Sequence, residues 1–152
     1  MKPKKMIRLL VIAVGAVVIF KFVFVPVRIN GLSMEPTYHH GGFTFINRLT
    51  YLTRQPRRGE IVAIRTSGLS VMFLKRIVAL PNETLAIDNG VVKINGVPIN
   101  ESYVKTRAAW QIAPVKLSEN EYYVIGDNRD VEESRHLFGR VAAERIVGRA
   151  LW

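Results

Sequence analysis

No cysteine occurs among the 152 residues. Disulfides are therefore excluded, and so are thiolate-held zinc and iron–sulfur sites. No acidic residue occurs in the first 21 positions, which carry Lys2, Lys4, Lys5, Arg8 and Lys21. No repeat or low-complexity tract is visible, and a hydrophobic content of 49% argues against disorder. The net charge is +10, of which the chain from Arg28 onward contributes +5, from 17 basic and 12 acidic residues. Such an excess suits nucleic acid or an anionic membrane. The basic residues are scattered apart from the bunch between Arg54 and Arg58, and no aromatic-interleaved basic stripe appears. The membrane is the expected partner and nucleic acid is not.

What is present at the N-terminus fits that expectation. Leu9–Phe20 are twelve consecutive apolar or glycine positions, and the run resumes after Lys21 to Val27. Leu9–Val27 is 19 residues, close to the roughly 20 that span a bilayer. Lys21 lies toward one end, where its stem can snorkel to the headgroups. With the lysines and Arg8 ahead of the span, the positive-inside rule predicts a cytoplasmic N-terminus. Residues 1–27 are thus expected to be a cytoplasmic tip and single-pass anchor. Residues 28–152 are expected on the outer face of the membrane. The alternative is a cleavable signal peptide, but the following Phe22-Val23-Phe24-Val25-Pro26 is bulky where a cleavage site needs small residues.

Beyond the anchor the sequence reads as mainly β. Strands are predicted at Val25–Asn30, Phe43–Asn47, Ile61–Ile64, Val71–Val78, Leu85–Ile87, Val91–Ile94, Tyr122–Ile125 and Ala142–Leu151, all rich in β-branched and aromatic residues. Asp88-Asn89-Gly90 and Asn95-Gly96 are strong turn signals, so residues 84–99 read as compact β-ribbons within an extension over 84–115. Thr106–Pro114 reads as a loop, and Asn47–Thr53 as a turn.

Three segments carry possible chemistry. Ser33 lies in Gly31-Leu32-Ser33-Met34-Glu35-Pro36-Thr37, where Gly31 lends backbone freedom and Pro36 stiffness. A serine hydroxyl needs a base, and none of the three histidines is convincingly placed to serve. Lys75 sits inside the apolar run Val71–Val78 beside Arg76. Strand alternation puts Lys75 and Arg76 on opposite faces, so one of the two cations points inward unless the strand is an edge. A buried lysine loses part of its usual pKa of about 10.4 and becomes a neutral base. Two bland readings stand beside these: a turn serine bonding its own backbone, and an edge strand with both cations solvated. The third segment is Gly126-Asp127-Asn128-Arg129-Asp130 followed by Glu132-Glu133-Ser134-Arg135, dense enough to cross-link itself by charge-assisted hydrogen bonds.

Taken in order, these segments resemble the bacterial type I signal peptidases, a family of membrane-bound Ser/Lys proteases. Ser33–Thr37 resembles the family's serine motif, Lys75–Glu83 its lysine motif, and Gly126–Asp130 is identical to its Gly-Asp-Asn-Arg-Asp block. The resemblance implies a β-barrel or sheet core with a small β-ribbon extension and one transmembrane helix. It implies Ser33 as nucleophile, Lys75 as general base, and the Ser33 N–H as an oxyanion donor. Some members place a serine at the position of Gly31 as a second donor; here that donor must be backbone or water. The segment after the block is one residue shorter than the common pattern. Ser134 stands either for the hydroxyl near the lysine or for a structural serine. Asp127, Arg129, Glu133 and Arg135 are expected to form an ion-pair network, with Glu133 in place of an aspartate.

The implied reaction is removal of signal peptides from exported preproteins after small-x-small sites, without metal or cofactor, by a monomer. Ile29, Met34, Tyr38, Met72 and Leu74 are expected to wall the pockets for the small residues. Rival readings are a mitochondrial-type inner-membrane peptidase, a self-cleaving repressor-type Ser/Lys protease, and a non-catalytic anchored binding module. An apolar anchor in place of a DNA-binding region opposes the repressor type, and the intact Arg129-Asp130 opposes the mitochondrial type.

Overall fold

The structure is a computed structural model that describes residues 3–65, 72–130 and 139–151. The apolar N-terminal run forms one helix, α1 (Pro3–Val23), in which no residue is buried. Pro3 opens it at a position where the missing N–H costs nothing. Its 18-residue window reaches a mean hydropathy of 2.5, so by length and composition α1 suffices to cross a membrane. The helix stops at Val23, four residues before the expected end of the span. Phe24–Val27 extend into a strand instead. Pro26 explains the change: it breaks a helix interior but is tolerated on a sheet edge, where no neighbour needs its N–H.

The strands follow in chain order: β1 (Phe24–Arg28), β2 (Phe43–Asn47), β3 (Ile61–Arg65), β4 (Met72–Ala79), β5 (Thr84–Asp88), β6 (Val91–Ile94), β7 (Val97–Pro98), β8 (Ile112–Lys116), β9 (Glu121–Ile125), β10 (Arg140–Ala142) and β11 (Ile146–Ala150). They make a seven-stranded sheet, β1-β2-β11-β3-β4-β9-β10, and a four-stranded one, β7-β6-β5-β8. Every strand pairing is antiparallel. Among the described residues the larger sheet stays open, with β1 and β10 at its edges, so the core is a sheet and not a closed barrel.

Two predictions need correction. Ala142–Leu151 is not one closing strand. A 3-10 turn at Ala143–Arg145 separates β10, which pairs with β9, from β11, which inserts between β2 and β3. Ala142 therefore ends one strand, and the chain changes partners before Ile146. Likewise Thr106–Pro114 is not loop throughout, because β8 starts at Ile112 and pairs with β5. Its apolar residues pack against Leu85 and Ile87, a tertiary contact that local sequence does not announce. The turn signals are met: Asn89-Gly90 and Asn95-Gly96 all take positive φ, as tight hairpin turns between β5, β6 and β7 require.

The placement of β4 matters most for the site. It lies between β3 and β9, in the middle of the larger sheet. Lys75 and Arg76 are both buried, at 3% and 6% exposure. The solvated-edge reading of this strand is thereby excluded.

Because α1 buries none of its residues, a chain starting at Phe24 is expected to keep its sheets. Far-ultraviolet circular dichroism and one cooperative thermal transition would check this, and loss of cooperative unfolding would contradict it. The same truncation is expected to lose partition into detergent or vesicles.

Candidate active site

Ser33 is carried by a loop closed at its neck by backbone hydrogen bonds. The Ile29 N–H donates to the Gly42 carbonyl, and the Gly41 N–H donates to the Ile29 carbonyl, each at 2.8 Å. Within the loop the Gly31 N–H donates to His40 Nδ1 at 3.0 Å. Gly31 has a φ of +108°, a conformation that side-chain-bearing residues rarely adopt. Met34 and Ile29 sink into a core with Leu74, Ala63 and Ile46, which presses the loop onto β3 and β4.

The Gly126–Asp130 block then clasps that loop from the other side. The Asn128 N–H donates to the Ser33 carbonyl, and Asn128 Nδ2 donates to the Leu32 carbonyl, both at 3.1 Å. Thr37 Oγ1 donates to Asp127 Oδ2 at 2.5 Å. The same carboxylate receives Arg76 Nε at 2.8 Å and Nη2 at 2.5 Å, while Arg76 Nη1 donates to the Gly59 carbonyl at 2.6 Å. Asp127 thus ties three elements together: the serine loop, the lysine strand and the chain leaving β9.

Ser33 and Lys75 converge at Gly126. The β4–β9 register sets Arg76 opposite Ile125, which brings Lys75 beside Gly126. A methyl group built on Gly126 would overlap the Ser33 carbonyl oxygen and lie 3.3 Å from Lys75 Nζ. The serine backbone and the lysine amine therefore occupy the same small space, which is open only because residue 126 lacks a side chain. Burial lowers the Lys75 pKa from its ordinary 10.5 to about 8, with the negative charge of Asp127 opposing part of that fall. Near neutral pH a usable fraction of the amine is neutral.

A small cleft of about 40 Å³ opens beside the serine. Ser33, Gly31, Ile29, Met34, Met72 and Leu74 line it, together with Arg28 and Phe73. Four of the five residues expected to wall the pockets are thus in the lining. Tyr38 is not among them. It is buried with Met34 behind the loop, and its hydroxyl donates to the Leu151 carbonyl at 2.8 Å. Ser134, Glu133 and Arg135 lie outside the described residues.

Of the expected ion-pair network, Asp127 and Arg129 lie within the described residues. Asp127 pairs with Arg76, and Arg129 pairs with Glu101 Oε1 at 2.5 Å, so the two block residues serve separate partners. Arg76 had a signal in the sequence, since a second cation in a buried strand needs a counter-charge. Glu101 had none: its exposed-looking neighbourhood Asn100-Glu101-Ser102 gives no hint of 2% exposure. Thr37 and Asn128 were inside recognised motifs, but their roles follow only from the folded contacts.

Comparison with known proteins bears on this arrangement. The family model described as "Signal peptidase, peptidase S26" matches residues 4–152. A probable signal peptidase I-2 of Synechocystis sp. is 34% identical, over 97% of this chain and 69% of its own length. A signal peptidase I of Bacillus amyloliquefaciens is 34% identical, over 91% of this chain and 78% of its own. The crystal structure of a signal peptidase I from Enterococcus faecalis superposes with a TM-score of 0.50 and 27% identity, covering 63% of this chain and 97% of that one. Fold and relatives together define a serine endopeptidase with an antiparallel sheet core. The chain belongs to the signal peptidase family, peptidase S26, membrane-associated enzymes that remove signal peptides from exported preproteins.

Two substitutions probe the convergence. Gly126→Ala is expected to force the serine loop off its seat and to cost about 1–3 kcal/mol of stability through overpacking, with loss of peptide cleavage. Asp127→Ala leaves Arg76 buried without its anion and is expected to cost about 3–5 kcal/mol, read as a lowered denaturation midpoint.

Proposed function

We propose that Ser33 is the nucleophile and Lys75 the general base of this peptidase. The observation that carries the assignment is the meeting of the Ser33 backbone and the Lys75 amine at Gly126, with that amine shielded from water. The neutral amine takes the Ser33 proton as Oγ attacks the scissile carbonyl. The developing oxyanion is met by the Ser33 N–H. Gly31 brings no side-chain donor, and its N–H is engaged by His40. The Lys75 ammonium then returns its proton to the departing amine, and an acyl ester remains on Ser33. Lys75 next deprotonates a water, which attacks the ester; the C–O bond breaks and Ser33 regains its proton.

The substrate is an exported preprotein lying extended along the serine and lysine segments. The cleft is small and walled by Ile29, Met34, Met72 and Leu74. It fits side chains the size of alanine, which supports cleavage after small-x-small sites. Tyr38 supports this wall from behind. Ser134 stands either for the hydroxyl near the lysine or for a structural serine, with Glu133 and Arg135 as further scaffold charges. The helix Pro3–Val23 holds the enzyme in the membrane with its N-terminus in the cytoplasm, so the anchor ends before Phe24–Val27 join the sheet. The chain from Phe24 onward, with the extension at 84–115, works as a monomer on the outer face. Confinement to one membrane raises the effective concentration of enzyme and substrate.

Ser33→Ala and Lys75→Met are each expected to abolish cleavage of a preprotein while preserving the thermal transition. Substantial turnover by Lys75→Met would remove lysine as the base. In the wild type kcat/KM is expected to rise with pH to a plateau, with its midpoint near the Lys75 value of about 8. A profile flat through that midpoint would contradict the assignment.

A further inference from the structure

The segment between β7 and β8 leaves the small sheet and is fastened to the Gly126–Asp130 block. Arg107 forms a parallel backbone bridge with Arg129, and the Ala108 N–H donates to the Arg129 carbonyl at 3.0 Å. Thr106 Oγ1 donates to the Asp130 carboxylate. Glu101 is fully buried against Arg129, whose Nε also donates to the Gly126 carbonyl at 2.8 Å. The extension is therefore bound to the glycine on which Ser33 and Lys75 converge.

Tyr103 carries this connection one step further. Its hydroxyl donates to Glu101 Oε1 at 2.6 Å, and its ring centroid lies 3.9 Å from the Arg76 guanidinium carbon. Burial and the Glu101 carboxylate both raise the phenol pKa, so the hydroxyl stays a donor. The edges of the guanidinium are taken by Asp127 and the Gly59 carbonyl. A planar guanidinium held by its edges still has two faces open to water, and an aromatic ring over one of them excludes water and adds cation–π attraction.

We propose that Tyr103 is a positioning residue for the Ser33–Lys75 centre. Its ring, held by Glu101, clamps Arg76 onto Asp127 and so keeps the serine loop in register with the lysine strand. Arg76 directly follows Lys75, and Asp127 holds Thr37 of the serine loop, so slack in this pair reaches both reacting groups. Tyr103 itself is not among the residues that line the cleft. The inference rests on Ser33 and Lys75 being the reacting pair.

The test uses the full chain in detergent and a fluorogenic peptide with Ala-x-Ala before the scissile bond. Tyr103→Phe keeps the ring and is expected to retain kcat within about twofold, while Tyr103→Leu and Tyr103→Met remove it and are expected to lower kcat about tenfold or more. KM is expected to move less than about twofold in all three, with each variant still melting well above the assay temperature. Wild-type kcat in the ringless variants overturns the proposal. So does an equal loss in Tyr103→Phe, or ringless variants that do not fold, since the ring then serves the fold at large. Ser33→Ala is run in parallel. Residual cleavage by Ser33→Ala defeats the assignment of the reacting pair, whereas a dead Ser33→Ala beside fully active ringless variants defeats only the role of Tyr103.

Discussion

Arg76 and Asp127 are both withdrawn from water, and such a pair is tolerated only when nearly every lone pair and proton finds a partner. Here Asp127 accepts two guanidinium hydrogen bonds and one from Thr37, while Arg76 also reaches the Gly59 carbonyl and lies under the Tyr103 ring. The consequence is geometric more than energetic. A hydrophobic replacement of similar volume often matches the stability of a buried pair, but it lacks the directional bonds. Those bonds fix three chain segments relative to one another, and the candidate active site is assembled from those same segments.

Two adjacent cations on β4 meet opposite electrostatic fates. Arg76 has an anion, Asp127, within hydrogen-bonding distance. Lys75 is buried more than it is compensated, so its charged form is disfavoured. The folded chain binds fewer protons at Lys75 than the unfolded chain between about 8 and the ordinary 10.5. Charging Lys75 therefore opposes folding below that interval, and the burden lifts as pH rises through it. A destabilising group retained at the centre of the sheet is what a neutral amine base requires. Gly126 completes the arrangement by leaving room for the amine beside the serine loop.

Much of the fold was legible from local chemistry. Phe43–Asn47 and Val91–Ile94 form strands at their predicted bounds because alternating apolar patterns sit between clear turn signals. The Asn-Gly turns take the positive φ values their residues favour. The end of α1 was misplaced because hydropathy alone cannot separate helix from strand where Pro26 intervenes. The partner change between β10 and β11, and the strand β8, depend on which distant segments pack together. Of the candidate site, Ser33, Lys75 and the Asp127 block were legible as motifs, and four of the residues expected to wall the pockets line the cleft beside Ser33. Tyr38 looked the same in sequence as the residues that do line the cleft, and only packing turned its ring away.

By itself the sequence determined an apolar N-terminal helix, a mainly β remainder, and which residues can carry serine-protease chemistry. The first two follow from hydropathy and turn propensity, which act over a few neighbouring positions; the third rests on the resemblance of Ser33–Thr37, Lys75–Glu83 and Gly126–Asp130 to the motifs of a known family. The tertiary structure alone decided that β4 lies in the middle of the sheet, so that Lys75 is shielded and its proton loosened. It also decided that Arg76 answers Asp127 and that Glu101 answers Arg129. Charge pairing across dozens of residues depends on strand order and register, and no local pattern encodes those.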